Sequence, residues 1–201
     1  MDRKKFLISS ALTVFSLSTF GSITRKLSGE FTGDCETTND ILGPFYRPDA
    51  PLRSDLTFNG LKGNRIVVKG KVLKADCTTP IKNALVEIWH CDTEGEYDNT
   101  SKDFRLRGAL ETNEKGEYAF KTILPGKYLN GELYRPAHIH FRVTAKGSRE
   151  LVSQIYFKGD PSIPADPWAS PTKAVNRILS ITPDDINGNL AINFDVVLKQ
   201  K

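Results

Sequence analysis

The segment "AHIHFRVTAKGSRELVSQIYFKG" (residues 137–159) has the pattern of two β-strands joined by a turn. Apolar side chains recur at every second position through 137–145 and through 151–159, and this period is typical of strands that bury one face. The intervening residues 146–150 ("KGSRE") combine a glycine with polar side chains, which is typical of a turn. The segment therefore predicts two consecutive strands.

The same period of two runs through most of the remaining chain. It predicts further strands at residues 64–75, 84–91, 117–123 and 189–199. Residues 160–171 contain four prolines and predict a loop, and residues 172–180 are the one segment that favours a helix. Short strands, Gly and Pro turns and little helix together predict an all-β fold, a β-sandwich with long loops.

The first 24 residues are predicted to be a signal peptide. A basic start at Arg3, Lys4 and Lys5 precedes a mostly apolar run, residues 6–20, that is too short for a comfortable membrane span. The order of Arg3 and Lys4 resembles a twin-arginine signal, and the export route and cleavage site stay open. We expect one domain, residues 25–201, exported to the periplasm or secreted, with no stable membrane span after signal removal. The alternative is a disordered or membrane-tethering N-terminus.

The charge and the cysteines limit the partners of this chain. The net charge is +4 and no run of five or six like charges occurs, so we expect no nucleic-acid partner. Cys35, Cys77 and Cys91 form no C-x-x-C pair, which argues against a structural zinc site. One disulfide and one free thiol are compatible with an oxidising compartment, but the spacing does not say which cysteines pair.

Two of the three histidines lie one residue apart, at His138 and His140. On a strand they project from the same face, with Ile139 on the other, and histidine is the commonest side-chain metal ligand. Pro136 marks the start of the strand, and Arg135 stands close to the pair. This pattern predicts a metal site, and the alternative is two partly exposed strand histidines. The third histidine follows a tryptophan inside a strand and is expected to pack or to form hydrogen bonds.

Two tyrosines follow glycine turns at the ends of predicted strands. Tyr97 ends "WHCDTEGEY" and Tyr128 ends "TILPGKY". Loops at strand ends often carry functional residues. Taken singly, each tyrosine is equally compatible with an ordinary residue at the rim of the sandwich.

Taken together, four motifs resemble the intradiol ring-cleavage dioxygenases, the family of catechol 1,2-dioxygenase and protocatechuate 3,4-dioxygenase. The motifs, in chain order, are "GPFYRPDAP" (43–51), "ALVEIWHCDTEGEYDN" (84–99), "FRLRGALETNEKGEYAFKTILPGKY" (104–128) and "YRPAHIHF" (134–141). The resemblance runs from about residue 43 to the last strand. It implies a non-haem Fe(III) cofactor held by Tyr97, Tyr128, His138 and His140.

The resemblance also implies a reaction and roles for further residues. The enzyme would open a catechol ring between its two hydroxyl-bearing carbons with O2, giving a muconate-type diacid. Arg135 matches the family's active-site arginine, Tyr128 the tyrosine that takes up a proton when the substrate binds, and Gln154 a glutamine of the same pocket. Ferric iron is a hard ion that suits anionic oxygen, and a bound cation strips the phenol proton.

The substrate and the assembly stay open at this point. The partners implied are a small aromatic diol and O2, and a homo-oligomer is expected. Only about 20 residues separate the predicted signal from "GPFY", so the N-terminal helical segment of catechol-type relatives is expected to be absent. Two alternatives are a non-enzymatic exported β-sandwich that binds a ligand and a zinc hydrolase. A pair of tyrosines argues against zinc, because the usual zinc ligands are Cys, His and carboxylate side chains.

Overall fold

The computed structural model describes residues 23–25, 31–33, 35–184 and 190–201. Most of the predicted signal peptide, residues 1–22, lies outside these ranges. The strands are β1 (Ile23–Arg25), β2 (Phe31–Gly33), β3 (Arg65–Lys74), β4 (Leu85–Trp89), β5 (Arg107–Glu111), β6 (Glu117–Ile123), β7 (Leu129–Asn130), β8 (Leu133–Tyr134), β9 (His138–Thr144), β10 (Leu151–Phe157), β11 (Ile178–Leu179), β12 (Thr182–Pro183), β13 (Leu190–Asn193) and β14 (Val196–Leu198). The one helix in the described part is a 3-10 turn, Ile163–Ala165. No helix there is long and apolar enough to cross a bilayer.

Two five-stranded sheets form a sandwich. The first has the order β11-β10-β9-β4-β5, and its β4, β5, β9 and β10 pair antiparallel. The second is built around β3, which pairs with β6 on one edge and with β13 and β14 on the other. Hairpins β1–β2 and β7–β8 stand apart from both sheets. The predicted all-β sandwich is confirmed.

The hydrophobic core fills the space between the two sheets. Strand β9 contributes Ile139, Phe141 and Val143, which are fully buried, and β3 contributes Val68 and Val72 from the other side. Because side chains alternate along a strand, the residues between them point away from the core. The outer face of β9 is therefore left to the loops that cover it.

Three details differ from the sequence-based expectation. The helix predicted at 172–180 is wrong, because Asn176 has a positive φ of 61° that ends a single turn, and β11 then pairs parallel with β10. The predicted strand 189–199 is interrupted at residues 194–195, where the backbone passes over Gly70; a Cβ there would lie 2.0 Å from the Phe194 carbonyl oxygen. Strand β5 was not predicted from the sequence, because its short apolar segment is flanked by charged residues and contains a glycine.

Residues 35–46, which we call the N-terminal strap, link the two sheets at one end. Thr37 exchanges hydrogen bonds with Val197 of β14, at 3.3 Å and 2.9 Å. Three residues later, the Asp40 N–H donates to the carbonyl of Val152 on β10, at 2.8 Å. The strap begins at a disulfide between Cys35 and the turn after β3. It therefore spans the edge of the sandwich and leads onto the outer face of the first sheet.

The disulfide joins Cys35 to Cys77, 42 residues apart, and Cys91 is a buried free thiol. Burial, with a contribution from nearby Asp92, raises the pKa of the Cys91 thiol to about 12. This thiol is therefore protonated and shielded from reagents at neutral pH. The pairing that the spacing left open is thus Cys35 with Cys77.

We predict that the disulfide stabilises the fold by about 2–4 kcal/mol, because it closes a long loop in the unfolded chain. The double variant Cys35→Ser/Cys77→Ser should unfold at correspondingly lower denaturant. Reductant should lower the stability of the wild type and leave the double variant unchanged, which is the internal control. Thiol titration should find one cysteine in unreduced, denatured protein and none before denaturation. Three titratable thiols would contradict the pairing.

Candidate metal centre

Strand β9 carries both histidines of the H-x-H motif on its outer face. The imidazole centroids of His138 and His140 are 4.9 Å apart, whereas Ile139 between them packs into the sandwich core. Both histidines are nevertheless almost completely buried, because loops cover this face. The prediction that the two histidines share one face is confirmed. The alternative to a metal site, two partly exposed strand histidines, does not agree with their burial.

Tyr97 and Tyr128 reach this face from two loops that pack backbone against backbone. A Cβ at Gly95 or at Gly126 would lie 2.4 Å or 2.3 Å, respectively, from a carbonyl oxygen of the other loop. Only glycine allows so close an approach. The glycines of the G-x-Y and P-G-x-Y elements thus bring the two phenols together.

The four residues predicted as ligands meet at one place. The Tyr97 hydroxyl oxygen lies 3.3 Å from Nε2 of His138. The Tyr128 ring centroid lies 5.7 Å from that of Tyr97 and 5.6 Å from that of His138, and the Tyr97 and His140 centroids are 6.2 Å apart. Three separated segments of the chain therefore contribute two phenols and two imidazoles to one cluster.

The residues present fit a metal ion. Nδ1 of His138 lies 2.7 Å from the Pro136 carbonyl oxygen, which can only accept, so Nδ1 carries the proton and Nε2 offers its lone pair toward Tyr97. Two ligands that are each about 2 Å from a metal are about 3 Å apart, close to the observed 3.3 Å. Nδ1 of His140 is buried with no hydrogen-bond partner in the described part of the chain.

The electrostatics favour the protonation states that this site needs. Burial, reinforced by the positive charge of Arg135, lowers the pKa of His138 to about 3. Burial and the neighbouring His138 lower the pKa of His140 well below its usual value. Both imidazoles are therefore neutral, the form that binds metals. Burial raises the pKa of Tyr97, so its phenol keeps its proton until a bound cation reverses the balance.

The strap forms a wall over the cluster through its "GPF" residues. Phe45 stacks on Tyr97 with ring centroids 4.3 Å apart. Gly43 has a φ of +74°, and a Cβ there would lie 3.0 Å from Cε1 of His140. The Trp89 ring stacks on His140, nearly parallel to it, with ring centroids 4.7 Å apart. Gly43, Phe45 and Trp89 lie within the family-like motifs, but no local pattern predicted a role for them.

Arg107 joins this wall to the loop that follows Tyr97. Its guanidinium is buried and donates to the carbonyl oxygens of Phe45 at 2.6 Å and Asp98 at 2.9 Å. Burial, with the charge of Arg47 adding to it, lowers the pKa of Arg107 to about 10. The sequence reading missed this residue, because its partners are backbone groups that only the fold brings within reach.

Arg135 lies beside the cluster, as the sequence reading expected. It is buried, with Nε 2.9 Å from Oδ2 and Nη2 3.3 Å from Oδ1 of Asp166, and the Trp168 ring lies over the guanidinium at 4.5 Å. Burial favours the neutral form, but the hydrogen bond and charge of Asp166 raise the pKa of Arg135, and Tyr128 adds to this rise. The arginine therefore stays cationic. Asp166 sits in the proline-rich loop and had no local signal.

Gln154 is fully buried and lies opposite His140 in the β9–β10 pair, so their side chains share a face. Its Nε2 donates to the Ile41 carbonyl oxygen at 2.9 Å, and the Tyr156 hydroxyl lies 3.1 Å from its Oε1. The amide nitrogen thus holds the strap, and the amide oxygen faces the Tyr156 hydroxyl. A catalytic role for Gln154 stays a prediction.

His90 does not join the cluster. Its Nδ1 lies 2.7 Å from the Cys91 carbonyl oxygen and its Nε2 lies 2.7 Å from Oγ1 of Thr122. Burial lowers its pKa to about 4. The prediction of a packed, hydrogen-bonded histidine is confirmed.

A cavity of about 320 Å³ opens next to Arg135. Its lining combines the Arg135–Asp166 pair with apolar side chains, among them Leu133, Tyr134 and Trp168. Small-molecule sites commonly have this composition, a mostly apolar wall with a few polar groups that fix orientation. The volume is sufficient for a single aromatic ring.

Comparison with known families agrees with this geometry. A family model described as Dioxygenase (Dioxygenase_C) matches residues 41–200, which include all four clustered residues. The match begins inside the strap and ends at the last strand. It therefore covers both sheets and the loops that carry the site.

Individual proteins show the same relationship. The chain is 35% identical to the protocatechuate 3,4-dioxygenase beta chain of Burkholderia cepacia, over 82% of this chain and 80% of that protein. It is 30% identical to a chlorocatechol 1,2-dioxygenase of Rhodococcus opacus, over 81% and 72%. The dioxygenase domain of a dioxygenase–carbohydrate-binding fusion from Streptomyces sp. SirexAA-E superposes with a TM-score of 0.71 at 30% identity, covering 83% of this chain and 99% of that domain. The chain therefore belongs to the family of intradiol ring-cleavage dioxygenases.

Proposed function

We propose that this enzyme uses a non-haem ferric ion to open the ring of a catechol between its two hydroxyl-bearing carbons. The observation that carries the proposal is the convergence of Tyr97, Tyr128, His138 and His140 on one buried point beside a cationic arginine. Bound ferric iron would supply a Lewis acid that draws electron density from a chelated catecholate. The two phenolates would neutralise most of its charge, and the two neutral imidazoles complete the set.

Side chains of the protein would bind the ion, accept a proton and stabilise charge. Tyr97 and the two histidines are buried and tightly packed, so they are suited to hold the ion. Tyr128 lies near Arg135 and is suited to accept a proton from a catechol hydroxyl. Arg135 carries a fixed positive charge next to the site and would stabilise negative charge that develops on the ring carbons in the transition state.

The substrate is proposed only as a class. The relatives' names include a protocatechuate, a chlorocatechol, a hydroxyquinol and a catechol dioxygenase, and all of these compounds carry two neighbouring hydroxyl groups on one aromatic ring. Plain, carboxylated, hydroxylated and plant-derived catechols all remain candidates.

The zinc alternative has little support. Within the described ranges, no group of three or more His, Cys, Asp and Glu side chains is arranged to hold a metal ion. A zinc site with its usual ligands would need such a group. The set that does converge requires the two tyrosines, which suit ferric iron better.

The relatives are named as dioxygenases, so the non-enzymatic alternative has no support either.

We predict that iron-loaded protein has a visible tyrosinate-to-iron charge-transfer band and consumes O2 with at least one catechol of a broad panel. Tyr97→Phe should shift or weaken the band, because it removes one phenolate. Arg135→Gln should keep the band and lower kcat by about 100- to 1,000-fold, the usual cost of one transition-state charge donor. The band is read by absorption spectroscopy and turnover with an oxygen electrode.

Tyr118→Phe is the matched control for these variants. Tyr118 is a buried tyrosine whose hydroxyl donates to the Phe194 carbonyl in the sandwich core, away from the site. This variant should leave both the band and kcat unchanged. A colourless protein at full ferric occupancy, or bound zinc in place of iron after growth with both metals, would refute the proposed centre.

We predict that Gly43→Ala weakens metal retention, because the added Cβ presses on the His140 ring at 3.0 Å. Displacing a ligand's support costs about 10- to 100-fold in metal affinity. The matched control is Gly60→Ala, which also has a positive φ, +82°, but has nothing within 4 Å of the added atom. Both variants should lose about 1–2 kcal/mol of stability from backbone strain. Equal iron content in the two, measured after competition with a chelator, would contradict the role of Gly43.

We also propose that the enzyme is exported through its N-terminal segment, residues 1–24. The Cys35–Cys77 disulfide supports this proposal, because disulfides persist mainly in oxidising compartments. Full-length chain made in a Gram-negative host should be recovered from the periplasm with a shortened N-terminus, as judged by mass spectrometry. The chain that begins at residue 25 should stay in the cytoplasm. Recovery of uncleaved full-length chain in the cytoplasm would argue against export.

A further inference from the structure

A buried chain of polar groups connects Arg135 to the N-terminal strap through the hydroxyl of Tyr156. Tyr156 is fully buried on β10, directly opposite His138 in the strand pairing. Its hydroxyl oxygen lies 3.2 Å from Nη2 of Arg135, 2.9 Å from Oδ2 of Asp40 and 3.1 Å from Oε1 of Gln154. Apart from its contact with Gln154, this hydroxyl has no part in the roles proposed above.

The direction of these hydrogen bonds follows from the groups themselves. A guanidinium has no acceptor, so Arg135 must donate to the Tyr156 oxygen. The phenol has one proton, and the shorter contact leads to the charged Asp40 carboxylate, which forms the stronger bond. Tyr156 therefore donates to Asp40 and accepts from Arg135. Arg135 and Asp40 do not touch, and the phenol oxygen joins them.

Asp40 is held so firmly that it can serve as a fixed point. Its side chain is 1% exposed, and its Oδ2 lies 2.6 Å from Nη1 of Arg177, which is itself 1% exposed. Its Oδ1 accepts from the Ile41 N–H at 2.7 Å. Arg177 in turn donates to the Gln154 carbonyl oxygen at 2.7 Å. The carboxylate is thus bound to the strap, to β10 and to the segment before β11.

Arg135 has a second side-chain partner besides Asp166. The Asp166 carboxylate binds only the edge formed by Nε and Nη2. Tyr156 adds a third hydrogen bond, at Nη2, and through Asp40 it joins the guanidinium to the strap as well. Tyr128 is also within hydrogen-bonding reach of this guanidinium.

We propose that Tyr156 is a positioning residue that holds the Arg135 guanidinium in its working orientation by anchoring it to Asp40 of the strap. The functional part of this inference rests on the proposed function, in which Arg135 acts on the substrate. The positional part concerns the protein alone. The two parts can therefore be tested separately.

The test variant is Tyr156→Phe, which removes one hydroxyl and keeps the ring that packs on Ile163, Ala169 and Ala174. In iron-loaded protein we expect kcat to fall by about 10- to 100-fold, because small misplacement of a catalytic group has effects of this size. KM for the catechol should change much less, since Arg135 acts in the transition state. The visible band and iron content should match the wild type, because no metal ligand is altered.

Tyr118→Phe is again the matched control, because it removes a buried tyrosine hydroxyl with one carbonyl partner far from Arg135. Its thermal unfolding reports the generic cost of losing such a hydroxyl. Its kcat should equal that of the wild type. A fall in kcat of the same size in both variants would mean that the effect is only structural, and it would overturn the inference.

A double-mutant cycle separates action through Arg135 from an independent effect. In the Arg135→Gln background, Tyr156→Phe should lower kcat by less than about threefold, since the group that it positions is already gone. If the two losses multiply instead, Tyr156 does not act through Arg135, and the proposal is wrong.

A direct measurement on the metal-free protein needs no turnover. With ¹⁵N-labelled arginine, rotation about the guanidinium bonds of Arg135 can be followed by NMR, and the signals are assigned with Arg135→Gln. Tyr156→Phe should make this rotation several-fold faster, and Tyr118→Phe should leave it unchanged. If the rotation is unchanged in Tyr156→Phe, the inference is overturned, whether or not any catechol is turned over. If the rotation is faster in Tyr156→Phe but the wild type turns over no catechol, the inference stands and only the proposed function is refuted.

Discussion

The candidate site depends on the fixed position of β9 in the sandwich. Ile139 and Phe141 lock one face of this strand into the core between the sheets, and the pleat then directs His138 and His140 to the other face. A slip of one residue in the pairing would exchange the two faces and move the imidazoles into the core. The packing of the core, rather than any contact between the histidines, thus sets where two of the four candidate ligands stand.

Around these histidines the protein buries several polar side chains, and most of them bind one another or backbone groups. Arg107 binds backbone carbonyls, Arg135 binds Asp166, and Arg177 binds Asp40. A buried charge without a partner costs several kcal/mol, so each of these contacts restricts how the covering loops can sit. Two atoms in the described part of the chain are exceptions, Nδ1 of His140 and Nε1 of Trp89, and their stacked rings lie at the cluster that we propose binds iron.

The strap gives this arrangement a second layer of support. It begins at the disulfide, crosses from β14 to β10, and then places Gly43 and Phe45 against the candidate ligands. Its Asp40 also reaches Tyr156 and, through it, Arg135. The stability of the sandwich edge and the geometry of the site are therefore coupled through one segment of the chain.

Much of the fold was predictable from local patterns. The alternation predicted β3, β4, β6, β9 and β10 within a few residues and one strand where β13 and β14 lie, and the H-x-H spacing predicted a shared face for the two imidazoles. The helix expected at 172–180 failed because the pairing of β11 with β10 overrides a weak local preference. The cysteine pairing, the carboxylate partner of Arg135 and the roles of Tyr156 and Gly43 had no local signal at all.

The sequence by itself determined the strand periodicity, the residue types available as ligands and the glycine turns that precede both tyrosines, because these depend on neighbours a few positions apart. The tertiary structure decided which loops meet over β9, which carboxylates hold Arg135 and Arg177, and which cysteines are joined. These contacts link residues more than 30 positions apart in the chain. Such pairs form only when the packing of the whole sandwich repays the entropy of closing the loops between them.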